Sequence, residues 1–329
     1  MRVVILGAGG IGGVIGGRLH QHRAGHGLEV VLIARGPHLT AIQQNGLRVE
    51  DPDTTVTVQV PAVGHPSDIV WTGEEVVLLA TKTHDASVAL SDLAATAPPT
   101  ITVVCATNGV EAERLALRLF ANVLALNVMM PTAFLVPGVV QVISAPIGGS
   151  LDVGRYPAGS SPVAEALAGH LRGAQFVSEE RSDIMRAKYR KLVMNTANAV
   201  EAACGRSGSG ALIASVAREA ESVLEAAGVD VASEAEEAAK REMMVYRPVG
   251  GQHRGGGSTW QSLVTGRPVE TDFLNGEIVL LGREFGVPTP LNEALQLVMR
   301  RMVSQGLAPG SIPASSIAQG VARGLSRGD

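Results

Sequence analysis

Val3-Val4-Ile5-Leu6-Gly7-Ala8-Gly9-Gly10-Ile11-Gly12-Gly13 decides how the rest of the chain is read. The four apolar residues suit a strand at the buried centre of a parallel sheet. Gly7, Gly9 and Gly12 follow with the spacing G-x-G-x-x-G. In that spacing the first glycine permits a tight turn, the second lets backbone approach a pyrophosphate, and the third lets a helix pack close on the strand. The helix N-terminus adds amide donors and the positive end of its dipole. The motif alone is weak, but its context is specific. Ile11, Ile15 and Leu19 share one helical face, and a second apolar run, Val30-Val31-Leu32-Ile33, arrives where the next parallel strand belongs. Gly7, Ala8, Gly9, Gly10, Ile11 and Gly12 are therefore the candidate cradle of a dinucleotide.

The end of the second strand bears on which dinucleotide. NAD-preferring sites place a carboxylate about 20 residues after the glycines, where it holds the ribose 2′-hydroxyl. Here the strand runs into Ala34-Arg35-Gly36. A guanidinium pairs with a 2′-phosphate and stacks on adenine, so Arg35 favours NADP, the alternative being an ordinary solvated arginine.

At 329 residues the chain suits two domains. Hydrophobic residues are 46% and charged residues 18%, enough to fill buried cores. The net charge of −4 and the absence of a basic block give no support to a nucleic-acid or membrane-surface partner. Two cysteines, Cys105 and Cys204, with no C-x-x-C pair, argue against a zinc site or a disulfide framework, so no metal is expected and a reducing cytoplasm fits. No signal peptide or membrane span is read in the sequence.

Up to about residue 110 the pattern alternates strand and helix, which calls for a parallel sheet with helices on its faces. Two further strands, 76–80 and 101–105, end in Thr81-Lys82-Thr83 and Thr107-Asn108-Gly109. Ligands of open α/β sheets bind beyond the carboxyl ends of the strands, which makes Lys82 and Asn108 candidate contacts, with solvated strand ends as the alternative. Between 121 and 178, short apolar runs broken by Pro131, Pro137-Gly138, Gly148-Gly149 and Pro157 read as an antiparallel extension of the sheet, closed by a short helix and a strand at 174–177. Beyond 180 the sequence is Ala- and Glu-rich and helical. The expected fold class is thus α/β, a Rossmann-type parallel sheet with an antiparallel extension followed by an all-helical C-terminal domain. The expected domains are 1–180 for the dinucleotide and 181–310 for substrate, with a boundary near Ser182-Asp183 and a flexible tail over 311–329.

Residues 184–203 predict the helix that carries chemistry. Leu192, Thr196 and Ala199 fall on one line and Val193, Ala197 and Val200 on another, while Lys191, Asn195 and Asn198 stand at i, i+4 and i+7 with Lys188 a turn earlier. A polar stripe through an apolar surface implies either an internal network or a substrate-binding wall. The wall is favoured, because a two-domain protein with a dinucleotide fold places its substrate in the cleft between domains. A second polar set lies at 258–275. Ser258 and Ser262 are one turn apart, Thr265-Gly266-Arg267-Pro268 breaks the helix, Pro268 suits a first helical position, and Glu270 falls in the new first turn. Glu270 reads either as a helix-start carboxylate or as a contact to Lys191 or the cofactor.

With these residues laid out, the chain resembles the 2-dehydropantoate 2-reductase (ketopantoate reductase) family over nearly its whole length. The resemblance rests on GAGGIGG, Ala34-Arg35-Gly36, Lys82, Thr107-Asn108-Gly109, Lys191-Leu192 with Asn195, and the run from Gly266 through Asn275-Gly276 to Gly286-Val287-Pro288-Thr289-Pro290. It implies NADPH-dependent reduction of a 2-keto acid to a 2-hydroxy acid on the route to pantothenate and coenzyme A. Carried over, Gly7 to Gly12, Arg35, Lys82 and Asn108 hold the cofactor, and Lys191 is the proton donor. Asn195 and Ser258 bind substrate, with Asn198 and Asn108 as further candidates, and Glu270 contacts cofactor or the lysine. The chain departs from the family pattern at Ala199, where a second asparagine is usual, at Ser262, where an acidic residue is common, and in the glycine-rich 250–257 stretch, which reads as a lid or a remodelled loop. Apolar residues such as Ile278, Leu281 and Phe285 suit either internal packing or a homodimer.

Overall fold

A computed structural model describes residues 1–251 and 255–325. The chain forms two compact units, one of Met1–Lys188 with Ser233–Arg254 and the other of Tyr189–Ala232 with the chain from Gly255 onward.

The first unit opens with β1 (Arg2–Leu6), α1 (Gly10–His22), β2 (Glu29–Ile33), α2 (Gly36–Asn45), β3 (Leu47–Glu50), β4 (Thr55–Val58) and β5 (Ala62–Val63). It continues through β6 (Val76–Leu79), α3 (Thr83–Ala94), β7 (Thr102–Cys105), α4 (Glu111–Leu117) and β8 (Asn122–Met129). β9 (Thr132–Ala133), β10 (Val139–Val142), β11 (Ser150–Arg155) and α5 (Pro162–Gly173) follow. Seven strands form the first sheet in the order β11-β8-β7-β6-β1-β2-β5. All its neighbours pair in parallel except β11, which runs antiparallel to β8. Alternate residues of the central strands point to opposite layers: Val3 and Ile5 pack beneath α1 and α5, and Val4 and Leu6 beneath α3 and α4.

The expected antiparallel extension is therefore present at β11, but β9 and β10 do not join it. They pair with β3 and β4 in a separate sheet of order β4-β3-β10-β9. This sheet covers the outer side of α1, which has no bulk there. A Cβ on Gly16 would meet Leu32 of the first sheet at 2.5 Å, and one on Gly17 would meet Val49 of the second at 2.5 Å. The glycines beyond the G-x-G-x-x-G spacing thus let one helix lie between two sheets.

The strand expected at 174–177 is not formed. Ala174 ends α5 and Gln175 sits at φ +65°, which breaks extended backbone. Residues 177–181 instead bond along β11 without regular pairing, from Leu151 N–H to Val177 O at 2.8 Å and from Arg181 N–H to Val153 O at 2.8 Å.

α6 (Ile184–Cys204) begins in the first unit and ends in the second, so the division falls at Lys188–Tyr189 and not near Ser182-Asp183. After α7 (Gly210–Ala226) the chain returns to the first unit with α8 (Glu234–Glu242). Ion pairs hold it there: Glu237 accepts from Arg181 at 2.6 Å, and Lys240 bridges Asp152 and Glu179.

The second unit is completed by α9 (Ser258–Val264), α10 (Thr271–Phe285), α11 (Pro290–Gln305) and α12 (Ala314–Leu325). Its core includes Ala199, Val200, Leu212, Val216, Leu295, Met299 and Met302. Asn275 is structural: its side-chain amide donates to Thr196 O at 3.1 Å and to Asn292 Oδ1 at 2.9 Å. Ile278 and Leu281 are buried within this unit, whereas Phe285 is half exposed. Residues 314–325, expected as part of a flexible tail, form α12, whose Ile317 packs into the core; residues 326–329 lie outside the described ones. Ser and Gly around Ile317 and Val321 dilute their one-turn spacing in the sequence.

Candidate functional site

The glycine turn is built as its spacing demands. Gly7 sits at φ +103°, and a Cβ there would lie 2.9 Å from Thr81 N. A Cβ on Gly12 would fall 2.1 Å from Gly7 O, so only glycine brings α1 this close to β1. The amides of Gly7 and Ala8 both donate to Ile33 O, at 3.1 and 3.2 Å. These two residues shape the turn, and the outward donors are those of the first helical turn, Gly10, Ile11 and Gly12, which have no acceptor inside α1. Gly9 is the N-cap, no side chain caps the helix, and the nearest atom to a Cβ on Gly9 is Phe134 Cδ1 at 4.0 Å. An uncapped helix start, bordered by Thr132 and Phe134, fits a dinucleotide pyrophosphate.

The neighbouring strand ends add side chains. Arg35, the N-cap residue of α2, is largely exposed and pairs with Asp92 at 3.2 Å, while His65 Nε2 lies 3.6 Å from the same carboxylate oxygen. Lys82 is the N-cap residue of α3 and is partly buried. Asn108, after β7, accepts at its carbonyl from Thr83 Oγ1 at 3.0 Å, which ties the two turns together. The Thr81 and Thr107 hydroxyls are buried at this edge without a hydrogen-bond partner among the described residues. Arg35, Lys82 and Asn108 thus stand where their strands end, as the sequence places them.

Lys188 leaves the polar stripe in which the sequence puts it. It is buried, forms an ion pair with buried Glu113 of α4, and donates to Thr107 O at 3.4 Å. It fixes the turn that carries Asn108. Glu113 and His38, a buried residue three positions after Arg35, are missed by the sequence reading because their partners lie far away in the chain.

In the second unit Lys191, Asn195 and Asn198 are half-buried on one face of α6, while Leu192, Thr196 and Ala199 are buried on the other side. Asn198 Nδ2 reaches Asn195 Oδ1 at 3.4 Å. Asn195 Nδ2 is buried and has no acceptor among the described residues. A Cβ on Gly257, the N-cap of α9, would lie 3.5 Å from Asn198 Oδ1, so Ser258 opens a helix beside these amides. Ala199 belongs to the apolar core, and Ser262 is buried in α9. The lid reading of 250–257 falls partly on residues 252–254, outside the described ones. Gly255 and Gly256 lie against the Trp260 indole, where Cβ atoms would come within 2.2 and 2.4 Å of the ring.

Pro268 does not open a helix. Arg267 N–H bonds back to Ser262 O at 2.8 Å, the chain turns, and α10 starts only at Thr271. Glu270 is therefore the N-cap residue, buried and making no side-chain cap bond, so capping does not explain it.

A Rossmann-type sheet with an uncapped glycine turn, followed in sequence by a helical unit with a lysine and amides on one face, is the build of a dinucleotide-binding oxidoreductase. Family profiles agree along the chain: ketopantoate reductase PanE/ApbA matches residues 3–157 and ketopantoate reductase PanE/ApbA C terminal matches residues 183–302. The chain belongs to the ketopantoate reductase family. Among similar proteins, 2-dehydropantoate 2-reductase of Halobacterium salinarum is 30% identical over 310 residues, covering 91% of this chain and 98% of its own. The crystal structure of a PanE/ApbA family ketopantoate reductase from Ralstonia eutropha superposes with TM-score 0.77 at 29% identity, covering 93% of this chain and 99% of that one. D-mandelate dehydrogenase in complex with NADH and anilino(oxo)acetate shares the fold at TM-score 0.78 and 22% identity, covering 93% of this chain and 99% of that one.

Proposed function

We propose that this protein reduces a 2-keto acid to the 2-hydroxy acid with NADPH, and that its substrate is 2-dehydropantoate, giving pantoate for pantothenate and coenzyme A synthesis. The observation that carries the reading is the face of α6 on which Lys191 stands with Asn195 and Asn198, where a buried amide donor has no acceptor among the described residues. A buried donor left unpaired is costly, so a ligand oxygen is the natural partner of Asn195 Nδ2.

The roles follow from the side chains. The outward amides of α1 hold the pyrophosphate, and Arg35 supports NADP over NAD through its guanidinium. Lys82, Asn108 and Glu270 complete the cofactor contacts. Bound NADPH supplies the hydride that reduces the keto carbon. As that carbon is reduced, negative charge gathers on its oxygen; the Lys191 ammonium stabilises the charge and gives its proton to the oxygen, leaving a neutral amine and a hydroxyl. Asn195, Asn198 and the Ser258 hydroxyl hold the substrate carboxylate and hydroxyl.

A second reading, reduction of a different keto acid or an imine, is favoured by one observation: Ala199, where the family usually has its second asparagine, is buried in the core and offers no polar contact. A non-catalytic NADPH sensor is disfavoured, because it needs the glycine turn and Arg35 but no proton donor. The test is Lys191→Ala. Its kcat with ketopantoate is expected to fall about 10²- to 10⁴-fold while NADPH binding holds; turnover equal to wild type contradicts the mechanism.

A further inference from the structure

We propose that His38 is a positioning residue that aims the glycine turn at the dinucleotide pyrophosphate. The proposal rests on the dinucleotide reading above and adds a residue to it. His38 lies in the first turn of α2, is buried, and touches two distant segments of the chain through its two ring nitrogens. The Gly138 N–H donates to Nδ1 at 2.8 Å. Nδ1 must then carry the lone pair, which places the proton on Nε2, and Nε2 donates to Ala8 O at 2.7 Å. One neutral tautomer satisfies both bonds.

Ala8 O is not an incidental acceptor. It belongs to the peptide plane that also carries the Gly9 N–H, and in a trans peptide the two point in opposite directions. Fixing the carbonyl toward His38 fixes the N–H of the second motif glycine away from it. The other side of the turn is already held, since the Gly7 and Ala8 amides share Ile33 O. Without His38 the Ala8–Gly9 plane loses this donor, and rotation would present a carbonyl oxygen to an anion. The imidazole is itself held: Phe134 packs on it with ring centroids 4.5 Å apart, and Phe134 Cδ1 also borders Gly9. Gly138 stands at φ +79°, close enough to α2 that a Cβ would meet Ala41 at 2.9 Å. His38 thus links the turn to the chain just before β10.

The two bonds can be separated by substitution. Glutamine places an amide nitrogen where Nε2 stands and keeps the bond to Ala8, whereas asparagine places a polar atom near Nδ1 and serves only Gly138. Calorimetric titration of NADPH and of NADH should find both weakened about tenfold in His38→Ala, with kcat at saturating NADPH within about twofold of wild type. His38→Gln should recover most of the affinity and His38→Asn should not. Should His38→Ala fold poorly, the Gln and Asn variants, which retain most of the side chain, decide the matter. Rescue by Asn and not Gln, or wild-type affinity in His38→Ala, would overturn the proposal. Wild-type protein that binds neither nucleotide would instead overturn the dinucleotide reading, and this inference with it.

Discussion

Arg35 has one partner in the structure and a competing one in the proposed function. In the structure its guanidinium pairs with Asp92, yet the proposed role is to meet a 2′-phosphate. The conflict is mild, because an exposed ion pair contributes about 0–1 kcal/mol and gives way to a doubly charged partner. Replacing Arg35 by Ala should raise KM for NADPH about tenfold and leave KM for NADH nearly unchanged, since only the former carries the phosphate. Steady-state kinetics with both cofactors checks this; equal effects on the two would remove Arg35 from the specificity argument. The glycines and Arg35 were legible in the sequence because their spacing is local and each follows a strand. Asp92 and His38 were not, because pairing across 57 and 30 residues leaves no periodic trace. Glu270 was legible as a candidate, but its helix-start explanation depended on Pro268 opening α10, which it does not.

Among the elements, the start of α6 is held within the sheet unit by the buried Lys188–Glu113 ion pair. Removing Lys188 strands the Glu113 carboxylate without a counter-charge, so Lys188→Met should lower unfolding free energy by about 3–5 kcal/mol. The double variant Lys188→Met with Glu113→Gln should recover most of that loss, and urea denaturation of both measures it. α8 offers a test of pH dependence. Ser233 and Glu236 form a reciprocal capping box, and the bonds from Ser233, with Arg186 beside them, draw the Glu236 carboxyl down to about 2 from its ordinary 4.5. Its folded value lies below its unfolded one, so the stabilisation is complete above pH 4.5 and fades as pH falls toward 2. Protection of α8 amides in hydrogen exchange should decline across that window in wild type, and Glu236→Gln should flatten the decline. Helix periodicity made α6 readable in advance. The partner of Lys188 was invisible, since a lysine one turn before a polar stripe has the same spacing whether it joins the stripe or a buried carboxylate.

For the molecule as a whole, the sequence supported two parts in order, a sheet and then helices. The structure keeps that composition but interleaves it, with 233–254 returning to the sheet unit and the division falling inside α6. Hydrophobic patterning carries no record of this return, because charged pairs such as Lys240 with Asp152 and Arg181 with Glu237 hold it. The second sheet was equally hidden: β3 and β10 are four residues each, and only long-range pairing sets them apart from a hairpin extension. What the interleaved chain does is decided by turnover. The most direct measurement is the loss of NADPH absorbance with purified protein and ketopantoate, run beside NADH and a panel of other 2-keto acids. NADPH oxidation with ketopantoate is expected well above every other pairing. No oxidation with any keto acid, by protein shown to bind NADPH, would contradict it.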